Sequence, residues 1–126
     1  MNIPENTQTA QIAQIAAKVL YMDEDDPIDV SKSLFKEYCM SRLDFVDFAC
    51  ELQAAANKQF DSDQLWPIDV MMNQAELYRC GAWTEAGHAE LARIFDGHAA
   101  VPHAGDTEQL ERLFSVAYVA HRLRTL

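Results

Sequence analysis

Ile12, Ile15, Ala16 and Val19 recur at the i, i+3, i+4, i+7 spacing of a helix with one buried face. The same period returns at Phe45, Phe48, Ala49, Leu52 and Ala56, and again at Leu110, Leu113, Phe114, Ala117, Tyr118 and His121. No segment alternates apolar and polar residues as a half-buried strand would. The spacing therefore predicts an all-α chain, a small helical bundle.

Punctuation divides the helices. Thr7 or Thr9 is read as the cap of a first helix running to about Met22. "DEDDPIDVSKS" follows as a long polar loop containing a proline, with Leu34 and Phe35 as apolar anchors that pin it to the core. Ser41 is a good N-cap, and Asp44 three residues later forms a capping box with Asp in place of Glu. That second helix is expected to reach about Phe60. Pro67 interrupts the next stretch, and a short helix around Val70–Tyr78 is expected to end at Gly81. Thr84 caps the helix "EAGHAELARIF", whose inward residues are read as Ala86, Ala89, Leu91, Ile94 and Phe95. Residues 97–106, rich in Gly, Pro and small residues, are read as a linker between a bundle over 1–96 and an amphipathic C-terminal helix over 107–126.

Twenty acidic residues against ten Lys and Arg give a formal charge of −10 in 126 residues. That field repels a phosphate backbone, so nucleic acid is not expected as a partner; the acidity suits either a partner with a basic patch or simple solubility. Cys39, Cys50 and Cys80 form an odd set without CxxC spacing, which points to reduced thiols and a cytoplasmic setting. The N-terminal residues lack the pattern of a signal peptide, and no stretch is long and apolar enough for membrane insertion. "DEDD" at 23–26 lacks the glycine and closing glutamate of an EF-hand loop. The four histidines do not share ligand spacing on one helix, so no metal is expected. Cys39, near a helix start, is a more ordinary idle thiol than a reactive one. No nucleophile elbow, phosphate loop or acid pair stands out, so no enzyme is expected.

The stretch from Ile28 to Leu52 resembles the acyl carrier protein family. Asp29, Ser33, Leu34, Phe35 and Tyr38, then Leu43, Asp44, Val46 and Asp47, lie in register with that family's loop and second-helix pattern. The resemblance spans roughly residues 7–95 and implies a four-helix carrier fold, here with an extra C-terminal helix. In the family, a serine before the Leu-Asp pair carries 4′-phosphopantetheine as a phosphodiester. In this chain that position is Arg42, the preceding Asp is Ser41, and the family's glycine falls on Cys39. Arginine has no hydroxyl to attack a phosphoryl group, so the usual attachment is not expected. Ser41 is the alternative attachment point, shifted by one residue and so rotated by roughly 100° about the helix.

The family meets its partner enzymes through an acidic second helix. By the resemblance, Arg42, Leu43, Asp44, Val46, Asp47 and Glu51 are the partner-binding residues, Asp44, Asp47 and Glu51 sharing one helical face. Arg42 opposes the helix dipole. It is read either as a recognition element for a partner's carboxylate or phosphate, or as a residue that reaches solvent or pairs loosely with a nearby acid. The expected function is a carrier-like protein of fatty-acid or polyketide-type biosynthesis that binds basic-patched enzymes or assembly factors without a covalent arm. Two rivals stay open, a functional carrier modified on Ser41 and an unrelated helical adaptor. The C-terminal stripe either packs back on the bundle, docks on a partner, or mediates a homodimer.

Overall fold

A computed structural model describes residues 5–23, 27–95, 107–124 and 126. It is mostly helical. In chain order it contains α1 (Glu5–Val19), α2 (Arg42–Ala56), α3 (Ser62–Leu65), α4 (Ile68–Met71), β1 (Tyr78–Arg79), β2 (Ala82–Trp83), α5 (Glu85–Phe95), α6 (Thr107–Glu111) and α7 (Val116–Leu123). The expected linker and Glu24–Asp26 of the acidic run lie outside the described residues.

The first helix begins before either threonine proposed to cap it, so Thr7 and Thr9 lie inside α1. Its other end closes at Tyr21, which takes the left-handed conformation (φ 56°). Tyr21 N–H donates to Lys18 O (3.2 Å) and Met22 N–H to Ala17 O (2.9 Å). That is the double hydrogen bond of a Schellman stop. The second helix starts as expected at Ser41 but ends at Ala56, not near Phe60, because Asn57 turns left-handed (φ 52°). Phe60 is buried outside the helix.

The segment after Pro67 departs furthest from expectation. The helix expected over Val70–Tyr78 is a single turn, Ile68–Met71, and the chain then forms a hairpin. Tyr78 pairs with Trp83 and Arg79 with Ala82. Cys80 and Gly81 both have positive φ (55° and 78°), as a two-residue hairpin turn of the primed type requires. Gly81 therefore turns a hairpin rather than ending a helix, and strands of two residues are too short to show alternation. Beyond it Thr84 caps α5 as expected. Its hydroxyl accepts from Gly87 N–H (3.0 Å) and donates to Glu76 O (2.6 Å). Leu91, Ile94 and Phe95 face inward, whereas Ala86 and Ala89 face solvent. Gly87 is buried instead. A Cβ there would lie 2.0 Å from Leu77 O, so the glycine lets the hairpin arm touch the helix.

The C-terminal segment packs back on the bundle. It forms two helices rather than one, because Ser115 is extended and makes an antiparallel bridge with Ser33. The Ser115 hydroxyl then caps α7 by accepting from Tyr118 N–H (3.1 Å). Leu110, Phe114, Val116, Tyr118, Val119, Ala120 and Leu123 are all buried. Helix α7 lies against α1, α3 and α5. Most of its apolar stripe is therefore packed inside the chain, as the first of the sequence readings has it.

Phe114 is the hub of the core. Its ring stacks on Phe35 (centroids 4.3 Å, interplanar 16°). It meets Phe45, Phe48 and Trp66 edge-on and Tyr118 at a tilt, at centroid distances of 5.2 to 6.5 Å. The long loop is pinned to the same place. Leu34 N–H donates to Phe114 O (2.7 Å), Ala117 N–H to Val30 O (3.0 Å), and the Ser33 hydroxyl to Glu111 O (2.7 Å). Buried backbone groups without a sheet or helix partner are satisfied this way. Leu34 and Phe35 are buried anchors, as the sequence suggested. Tyr118 donates its hydroxyl to Leu65 O (2.8 Å), and burial pushes its phenol above the usual tyrosine range.

Two substitutions test this packing. Phe114→Ala is expected to lower stability by about 3–5 kcal/mol in urea unfolding, the cost of emptying a large aromatic site. Gly87→Ala is expected to cost about 1–3 kcal/mol because the hairpin arm must move off α5. A loss below about 1 kcal/mol in Phe114→Ala would mean that the C-terminal segment is only loosely docked.

Candidate functional site

The start of α2 is built by a cap and a clasp. The Ser41 hydroxyl accepts from Asp44 N–H (3.1 Å), and Ser41 N–H donates to Asp44 Oδ2 (3.2 Å). The capping box read from the sequence is thus present, with both partners engaged. Cys39, two residues earlier, takes the left-handed conformation (φ 56°) and is exposed. A glycine adopts that backbone without the Cβ crowding that cysteine meets.

Arg42 is not free to reach outward. Its Nε donates to Asp69 Oδ2 (2.9 Å) and its Nη2 to Asp69 Oδ1 (3.2 Å), a side-on bidentate pair. Nη2 also lies 3.6 Å from Glu111 Oε1. The guanidinium carbon sits 4.2 Å from the centroid of the Phe35 ring. One side chain thus ties α2 to α4, α6 and the anchor of the long loop. Of the two roles considered, pairing with a nearby acid is the one the geometry provides. The carboxylates offset its unfavourable place near the positive end of the helix dipole.

Lys36 continues the ionic girdle, 3.7 Å from Glu108 and 3.6 Å from Glu111. Asp69, Glu111 and Phe35 were not read as site residues. Asp69 and Glu111 lie 27 and 69 positions from Arg42 in sequence, and no periodic pattern links such distant partners. The only local signal was Arg42 itself, a cation at a helix start.

The three acids chosen from the sequence have different environments. Asp44 is half-buried and occupied by the cap. Glu51 lies 3.4 Å from Lys18 of α1. Asp47 is exposed and makes no ion pair among the described residues. Beside it lie two apolar side chains in solvent, Leu43 (81% exposed) and Val46 (46% exposed). Cys50 continues this face one turn on and is also exposed. Helix α2 thus has two apolar faces. Phe45, Phe48, Ala49 and Leu52 fill the core, while Leu43 and Val46 do not.

The described residues contain no group of three or more His, Cys, Asp or Glu that could hold a metal ion. Among them, no helix is long and apolar enough to cross a membrane. Comparison of the chain with protein-family models, curated proteins and solved structures found no match.

The local geometry predicts opposite effects for neighbouring changes. Cys39→Gly is expected to raise stability by up to about 1 kcal/mol, since relief of the left-handed strain outweighs the added chain entropy. Ser41→Ala is expected to lower it by about 1 kcal/mol through loss of the cap. Chemical denaturation of the two variants checks both. A Cys39→Gly protein less stable than the parent would show that the thiol makes a stabilising contact.

Proposed function

We propose that this protein is a non-covalent binding protein on a carrier-like helical scaffold, presenting the outer face of α2 to a basic partner. The observation that carries this reading is the apolar pair Leu43 and Val46, left in solvent beside Asp47, which makes no ion pair among the described residues. An apolar centre with a charged rim is the usual anatomy of a contact surface. The resemblance to acyl carrier proteins suggests an enzyme or assembly factor of fatty-acid or polyketide-type biosynthesis as that partner. The acidic excess of the chain would speed encounter with a positive patch.

The absence of a covalent arm follows in this reading from the side chains at the helix start. Arg42 offers no hydroxyl, and its guanidinium is already held by Asp69 and Glu111. The Ser41 hydroxyl is engaged with Asp44 N–H. A transferase would have to break the cap to use it, at a cost of about 1 kcal/mol. The partner-binding set accordingly narrows to Leu43, Val46, Asp47 and Glu51. Arg42 and Asp44 shape the surface from behind.

Intact mass after incubation with coenzyme A and a promiscuous phosphopantetheinyl transferase tests the first half. No gain is expected while a known carrier is modified in parallel. A gain that disappears in Ser41→Ala would overturn the reading and make the protein a carrier with a shifted attachment site. For the second half, Leu43→Ser combined with Asp47→Lys is expected to release carrier-dependent biosynthetic enzymes that the parent protein retains. Both positions are exposed, so folding is expected to be unchanged, which circular dichroism checks.

A further inference from the structure

A second surface lies on the flank of α1. Ala10, Ala13 and Ala17 of α1 and Met22, Ile28 and Val30 of the following loop line an open groove of about 940 Å³. The helix beside it is unusual for this chain. Its buried residues Ile12 and Ala16 face the core, yet its other faces hold alanine and glutamine where solvated helices carry charge. Glu5 and Lys18 are the only charged residues in α1, in a chain that is 24% charged. An alanine surface lets another backbone approach to roughly 8 Å between axes. From Ala10 to Lys18 the groove follows α1 for about 12 Å, a little over two helical turns.

Charge and exposure narrow the occupant. Lys18, a cation on the groove, lies 3.4 Å from Glu51. Asp23 lines the groove and Asp29 adjoins Ile28. The Ser31 hydroxyl and N–H hold the Asp29 carboxyl below its ordinary range, so it is anionic at neutral pH. A second copy of this chain, itself at −10, would bring acid against acid. At the end of α1 stands Tyr21, 93% exposed on a left-handed backbone. Tyrosine is among the side chains that dominate binding energy when covered.

We infer that the groove between α1 and residues 27–30 docks an amphipathic helix of a partner protein, its apolar face on the alanines and its basic residues on Asp23 and Asp29. This site uses different residues from the outer face of α2, and the two are separately testable. Ala10 and Val30 are exposed. Glutamate at both positions makes the protein still more acidic while putting carboxylates into the groove.

The probe is a synthetic leucine–lysine peptide patterned to fold as an amphipathic helix, titrated calorimetrically into the full chain. One peptide per chain is expected, with backbone amide shifts centred on Ala10–Lys18. Affinity should fall at least about tenfold in Ala10→Glu with Val30→Glu, although the added charge favours a basic ligand. It should change little in Leu43→Ser. Unchanged or tighter binding in the glutamate variant would show a purely electrostatic attraction and overturn the inference. Loss of binding in Leu43→Ser would also overturn it, by moving the peptide to α2. Failure here leaves the α2 reading standing, since the mass and retention experiments do not involve the groove.

Discussion

The stacking of Phe114 on Phe35 holds the structure together. Phe35 belongs to a loop with little regular structure of its own, and Phe114 to the turn between α6 and α7. Neither has a helix to keep it in place. Together they form a surface on which α2 sets Phe45 and Phe48 and the post-α3 turn sets Trp66. The backbone bonds from Leu34 to Phe114 and from Ala117 to Val30 fix the two irregular segments against each other. Stability of such a centre comes mainly from buried apolar area and ring contacts. The surrounding ion pairs are partly exposed, and pairs of that kind contribute about 1 kcal/mol or less each.

The site and the core meet at one residue. Phe35 packs inward on Phe114 and receives Arg42 on its ring. The cation at the helix start is thereby an extension of the core packing. Serine at the same position would leave Asp69 and Glu111 without their shared partner. Arg42 thus sits in a matched neighbourhood, with an acid from α4 and another from α6 arranged around its side chain.

What could be read in the sequence was local and periodic. The buried faces of α1 and α2, the Ser41–Asp44 box, the Thr84 cap and the loop anchors Leu34 and Phe35 depend on residues a few positions apart. The missed features depend on distance or on backbone handedness. Val70–Tyr78 has apolar residues suited to a helix, but Cys80–Gly81 imposes a hairpin that draws Tyr78 onto Trp83. The C-terminal stripe was correctly seen as amphipathic, yet its break at Ser115 comes from a bridge to Ser33, 82 residues away. Within the site, the exposed face of α2 followed from helical spacing. The engagement of Arg42 did not, because its partners come from two other helices.

The Ser33–Ser115 bridge has a consequence for the order of events during synthesis. Phe35, Phe45 and Phe48 leave the ribosome long before Phe114, whose ring meets all three. Helices α1 and α2 can form locally in that interval, but their aromatic faces stay uncovered until the later segment arrives. Closing contacts over such a span carries a loop entropy that slows folding. The nascent chain therefore passes through a period with a sticky interior open to solvent. Its strong negative charge keeps copies apart during that period. The acidity of the chain thus also guards the unfinished protein against its own kind.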